Sequence, residues 1–177
     1  ALHAPSAQLE TLEANWEENL ETMRPFVGSV LPTDEFEAVE ILVRRYLRGR
    51  GPLLAARVAD GYVRDVHGDL TADDIYCLDD GPRLIDCLTF NDDWRIIDVL
   101  NDTAFLVMDV HRLAGPEAAE QLMRWYQEFS NEHHPASLAH HYVAYRAHVR
   151  AKIACLRVAQ GDIAQIALAR QLSLIHI

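Results

Sequence analysis

The stretch VRDVHGDLTADDIYCLDDGPRLIDCL, Val63 to Leu88, holds seven carboxylates, a histidine and two cysteines. Its apolar residues come in short runs that alternate or stay continuous over four or five positions. Tyr62 to Val66, Ile75 to Leu78 and Arg83 to Cys87 therefore read as short strands. Asp79-Asp80-Gly81-Pro82 between the last two is a hairpin turn signal. Outside this stretch the apolar period lengthens to that of helices, so the fold class is mainly α with a small β hairpin.

Upstream, Leu9, Leu12, Trp16, Leu20 and Met23 recur every three or four residues and predict a helix from about Gln8 to Met23, ended by Pro25 and Gly28. A second helix begins at Pro32-Thr33-Asp34 with Thr33 as its cap, and its stripe is Phe36, Val39, Leu42, Val43, Tyr46 and Leu47. After Gly49 and Gly51-Pro52 a short helix runs from Leu53 to Asp60. Downstream, helices are expected over Ile96 to Leu113, Glu117 to Asn131 and Ser137 to Gln160, with a last one opened by Asp162. Trp125, Tyr126 and Phe129 read as an aromatic core stripe.

The chain has 177 residues, half of them apolar, which suits one domain with a real core. No apolar run approaches the roughly 18 residues of a membrane span, and no signal-peptide pattern is visible. The net charge of −11 argues against nucleic acid or an anionic membrane as partner. Cys77, Cys87 and Cys155 lack metal or redox spacing and read as buried free thiols of a reducing cytoplasm. Residues 1–7 read as a linker. Leu172 to Ile177, LSLIHI, reads as translated sequencing-adapter read-through, with the natural chain continuing past Gln171.

Phosphoryl transfer needs a carboxylate to orient and deprotonate a hydroxyl, and oxygen ligands that hold Mg²⁺ against nucleotide phosphates. In kinase catalytic loops the base Asp is followed five residues later by a metal ligand, then by a hairpin ending in a second acidic ligand. Here His67-Gly68-Asp69 opens the loop, Asp74 lies five residues after Asp69, and Asp86 follows the hairpin.

VHGDLTADDIYCLDDGPRLIDCLTFND resembles the catalytic core of the aminoglycoside phosphotransferase-like kinases, whose pattern is HGDxxxxN, a hairpin and (I/L)D. The likeness extends to IDVLNDTAFLVMDV and to YRAHVRAK, Tyr145 to Lys152, and covers most of residues 8–171. It is nearest to bacterial proteins that carry such a domain ahead of a P-loop ATP-binding domain. The resemblance implies the helical C-terminal lobe of a protein-kinase-like fold with its N-lobe absent, a catalytic loop at residues 67–74 and a metal-site hairpin at 75–88. It implies that Asp69 is the catalytic base, that Asp74 and Asp86 bind Mg²⁺, that Asp102 braces the loop and that His67 shapes it. It implies ATP as co-substrate, a small-molecule hydroxyl acceptor, and a fused or associated P-loop domain as partner.

Two positions depart from the family pattern: Asp74 replaces its Asn, and Thr71 replaces its His two residues after the catalytic Asp. Asp74 still offers an oxygen to Mg²⁺ but adds charge beside Asp69 and Asp86. No lysine, GxGxxG or strand series precedes His67, and no GxxxxGK[ST] is present, so the chain alone is expected to bind ATP poorly. The alternative is a non-catalytic kinase-like module that regulates a P-loop domain.

Asp65, Asp73, Asp79 and Asp80 read as turn and cap residues. His133, His134, His140, His141 and His148 read as loop and helix-surface histidines rather than a zinc site, which would need three or four convergent ligands. Arg146, Arg150 and Arg157 read as partners of surface acids or of an anionic substrate.

Overall fold

The computed structural model describes residues 8–175. Eight helices and four short strands follow in the order α1 (Leu9–Met23), α2 (Thr33–Leu47), α3 (Gly51–Ala59), β1 (Val63–Asp65), β2 (Ile75–Leu78), β3 (Gly81–Leu84), α4 (Asp92–Arg95), β4 (Ile96–Asp98), α5 (Val99–Ala114), α6 (Pro116–Ser130), α7 (Ala136–Ala159) and α8 (Gln165–Ser173). The chain is mainly α with a small β hairpin, β2–β3, in which Ile75 pairs with Leu84 and Leu78 with Gly81 across the Asp79-Asp80 turn. None of the described helices is long and apolar enough to cross a membrane.

Helices α1, α5 and α7 each feed two apolar clusters. Leu12 and Trp16 of α1 meet Leu100 and Ala104 of α5 and Leu138 and Tyr142 of α7 in one. Leu20 and Met23 meet Phe105, Met108, Ala147, Ala151 and Cys155 in the other. The alanines of α7 favour the helix and let α5 and α8 approach closely; Ala147 and Ala151 are wholly buried. The proposed linker, residues 1–7, lies outside the described residues, as do His176 and Ile177. Within the proposed tail, Leu172 and Ile175 are buried in the second cluster.

Several local expectations need correction. Ile96 to Asp98 is not the start of a helix but strand β4, antiparallel to β1 with Val63 opposite Asp98. The helix begins only at Val99, where the Asp98 carboxylate caps it by accepting from Leu100 N at 2.9 Å. Pro32, not Thr33, is the cap residue of α2, and no side chain caps that helix. Helix α3 opens at Gly51-Pro52 rather than after it, because proline is well tolerated in the first turn. The last helix starts at Gln165, beyond Asp162.

Side-chain placement differs too: Cys77 and Cys87, on the hairpin and just after it, are exposed, and Cys155 alone of the three cysteines is buried. Trp125 and Phe129 are 51% and 80% exposed, so the α6 aromatic stripe is not core; only Tyr126 turns inward. His141 and His148 are buried against Trp16 rather than on the helix surface. Trp16 Nε1 donates to His141 Nε2 at 3.2 Å, which requires the neutral ring.

A buried polar cluster joins α3, α5 and the α6–α7 connection. Arg57 makes a two-pronged contact with Asp98, Nε to Oδ2 at 2.8 Å and Nη2 to Oδ1 at 2.6 Å. Its Nη2 also lies 2.5 Å from Glu132 Oε1, while Tyr126 OH donates to Glu132 Oε2. Burial opposes ionisation of Glu132, but His134, Tyr126 and Arg57 outweigh it and hold its carboxyl at about 2. Burial, aided by the Arg50 charge, pushes the His141 imidazole down to about 3.

Both shifts cost stability in acid. Unfolded histidine binds a proton near pH 6.5 and folded His141 does not, so stability falls from about pH 6.5 toward 3. The Glu132 contribution is present above the unfolded value of about 4.3 and is lost as pH falls to about 2. Urea unfolding across this range is expected to show both limbs; His141→Phe should flatten the upper one. Glu132→Gln should flatten the lower one and remove about 3 kcal/mol at pH 7.

Candidate active site

The loop between β1 and β2 carries Asp69, and its backbone is held from the α5 side by two carboxylates. Asp102 Oδ2 accepts from His67 N at 3.2 Å, and its Oδ1 accepts from Gly68 N at 2.8 Å. Seven residues along the helix, Asp109 Oδ2 accepts from Ala72 N at 3.0 Å. That spacing is two helical turns and puts both acids on one face of α5. A third hold comes from α7: Arg146, buried under the loop, donates to Asn101 Oδ1 at 2.7 Å and to Gly68 O at 3.3 Å.

Gly68 makes this packing possible. Its φ is +87°, and an added Cβ would lie 2.7 Å from Leu88 Cδ1 and 3.1 Å from the Trp94 carbonyl oxygen. The turn aims Asp69 away from the core, toward a cavity of about 320 Å³ walled by α1, α7 and the Phe90–Trp94 segment. The Asp69 carboxylate makes no hydrogen bond or ion pair among the described residues. Burial raises its pKa; the charges of Arg150 and Arg146 work the other way, and Asp74 adds to the rise.

The hairpin returns the chain along the same loop. Ile85 N donates to Asp74 O at 3.0 Å and Leu88 N to His67 O at 3.0 Å. His67 Nε2 meets Ile85 O at 2.6 Å, so that nitrogen carries the proton. Asp86 lies between these anchored residues and is thereby brought beside the Asp69–Asp74 loop. It is exposed and has φ +60°, a left-handed conformation that non-glycine residues adopt at a cost of about 1–3 kcal/mol and that clusters at functional positions.

Asp74 ends a single 3₁₀ turn, Ala72–Asp74, and is tied to Thr71. Its Oδ2 accepts from Thr71 N at 2.9 Å and from Thr71 Oγ1 at 2.7 Å. The two positions that depart from the kinase pattern therefore bond to each other. Oδ2 of Asp74 is committed to this cap, and its other oxygen has no partner among the described residues.

No group of three or more His, Cys, Asp or Glu side chains among the described residues could by itself hold a metal ion. Mg²⁺ at nucleotide sites needs fewer protein ligands, one or two carboxylates with phosphate oxygens and water completing the shell. The open oxygen of Asp74 and the exposed, hairpin-anchored Asp86 fit that donor set.

Sequence reasoning singled out Asp69, Asp74, Asp86, His67 and Asp102, and all five belong to this loop and its supports. It missed Asp109 and the Asn101–Arg146 pair. The heptad spacing of Asp102 and Asp109 was the available signal. Arg146 pairs with neither a surface acid nor open solvent, because it is enclosed under the loop with its guanidinium over the Phe105 ring at 4.8 Å.

Comparison with known proteins finds relatives but no described activity. The chain is 40% identical over 146 residues to uncharacterized proteins of two Mycobacterium tuberculosis strains, CDC 1551 and H37Rv, and of Mycobacterium bovis. The match takes in 82% of this chain and 29% of each relative, so the chain spans less than a third of their length. No family model matches, and no solved structure matches.

The Gly68 geometry gives a direct test of the loop. Gly68→Ala should destabilise the chain by about 1–3 kcal/mol in urea unfolding, from the left-handed backbone and the Trp94 contact together. An unchanged midpoint would show that the turn relaxes freely.

Proposed function

We propose that the chain carries the catalytic-loop half of an ATP- and Mg²⁺-dependent phosphotransferase acting on a hydroxyl of a small molecule. The observation that supports this most is Asp69: a half-buried carboxylate without a partner, on a loop held at both ends, facing a cavity of about 320 Å³. A carboxylate kept open and raised in pKa beside a cavity suits a general base. The resemblance of this loop and hairpin to aminoglycoside phosphotransferase-like kinases supports the same reading.

In this reading the acceptor hydroxyl donates its proton to Asp69 as its oxygen attacks the γ-phosphorus of ATP. The new O–P bond forms as the bond from phosphorus to the β,γ-bridging oxygen breaks, and that electron pair leaves on ADP. Asp74 and Asp86 would hold Mg²⁺, which when bound would supply charge neutralisation on the phosphates. Asp102, Asp109 and Arg146 hold the loop, so Asp69 needs no reorganisation at the moment of transfer. The lobe that grips the nucleotide and a P-loop domain would come from other parts of a longer protein, which is bacterial and cytoplasmic in this reading.

One observation favours a second reading. The Thr71–Asp74 cap ties up an oxygen at a metal position, as expected of a kinase-like module retained for binding or regulation of a P-loop domain. ATP turnover by the longer parent protein, with any P-loop lysine replaced, separates the two. A phosphotransferase turns over ATP with Mg²⁺ and loses about 10²–10⁴-fold of kcat in Asp69→Asn. Its rate should fall as pH drops through the raised Asp69 pKa, and that limb should vanish in the variant. A regulatory module shows no turnover to lose.

A further inference from the structure

The cavity in front of Asp69 has polar groups that the phosphotransfer chemistry does not use. Lys152 is already paired, with its Nζ 2.9 Å from Glu18 Oε1. Arg146 is spent on Asn101 and Gly68, and Asp93 at the rim has a partner of its own. Arg150 and Asn19 are among the donors left over. Arg150, exposed, makes no hydrogen bond or ion pair among the described residues, although its charge acts on Asp69. Asn19 lines the same cavity at 1% exposure, and its Nδ2 has no hydrogen-bond partner.

A buried amide N–H₂ without a partner is costly in an empty protein, and such groups call for an acceptor. The exposed guanidinium of Arg150 lines the same cavity and adds a positive charge that favours an anion. Phe90 and Trp94, edge to face with centroids 5.7 Å apart, give the cavity an apolar wall. Its volume of about 320 Å³ is at the small end for ligand pockets.

We propose that this cavity seats the acceptor and that the acceptor is a small hydroxyl-bearing oxyanion, its anionic group held by Arg150 and Asn19 Nδ2 and its hydroxyl facing Asp69. The assignment of this ligand as acceptor rests on the phosphotransfer reading above; the oxyanion site itself does not.

The test is a titration of the 177-residue chain at low ionic strength with gluconate, glucose 6-phosphate, glucose and glucosamine, followed by NMR at the Asn19 amide and Arg150 Nε. The two anions should bind at least about tenfold more tightly than the neutral and cationic sugars, and the tighter of the two tells carboxylate from phosphate. Arg150→Gln should weaken anion binding by about 10–100-fold and leave glucose unchanged. Asn19→Leu should also weaken it by about tenfold, while the unfolding midpoint holds or rises because a buried unpartnered amide is gone. That combination excludes a merely structural role for Asn19.

Equal binding of all four compounds, binding of none, or anion binding unaffected by Arg150→Gln overturns the site. The titration needs no ATP, so the two readings fail separately. An anion site in a chain whose parent transfers no phosphoryl group removes the kinase reading alone. Phosphorylation of a neutral or cationic acceptor, with the same KM in Arg150→Gln, removes the oxyanion assignment alone.

Discussion

The carboxylate of Asp102 accepts the backbone N–H groups of both His67 and Gly68, and the rest of the site depends on that contact. A loop with two adjacent N–H groups turned inward would leave buried donors unsatisfied, at about 1–3 kcal/mol each, were no acceptor waiting there. The acceptor sits one turn into α5, and the start of α5 is fixed by Asp98 as cap and by Arg57 gripping Asp98. Burial of the Arg57–Asp98–Glu132 cluster thus sets the register of α5, and α5 sets the loop. The position of Asp69 follows from a chain of charge-assisted hydrogen bonds.

The pairing of Thr71 with Asp74 changes how the two departures from the kinase pattern should be weighed. Taken one at a time, each departs from the pattern this loop resembles: an acid at the amide position, and a threonine at the histidine position. Together they form a reciprocal cap that closes the 3₁₀ turn. The turn keeps Asp74 O in place for Ile85 N, and that bond helps bring Asp86 back beside the loop. The turn is closed by these two side chains, and one Asp74 oxygen stays open.

Periodicity read well where one face of a long element is buried. The stripes of α1 and α2 follow from Leu12, Trp16 and Leu20, and from Phe36, Val39 and Val43, all of which are core, although Leu42 of the expected α2 stripe is exposed. It failed where burial depends on what lies opposite. Trp125 and Phe129 have the spacing of a core stripe, yet nothing among the described residues covers them. Ile96 and Ile97 read as the start of a helix because strand and helix are indistinguishable over three residues; pairing with Arg64 and Asp65 of β1 made them a strand. His141 and His148 looked like surface histidines because their helix is mixed in character. Packing against Trp16 from α1, 125 residues from His141 in sequence, helps bury both, and Tyr46 of α2 stacks on His141.

The sequence by itself determined the helical character and the hairpin with its turn, because these rest on local periodicity and turn chemistry; it singled out Asp69, Asp74 and Asp86 by their spacing and Asp102 by resemblance. Tertiary structure alone decided that Arg146 also holds the loop, and that Asn19 and Arg150 line one cavity with Asp69. Those relations join α1, α5 and α7 across long sequence separations. They depend on which buried donors find acceptors after the helices pack, and no local pattern encodes that.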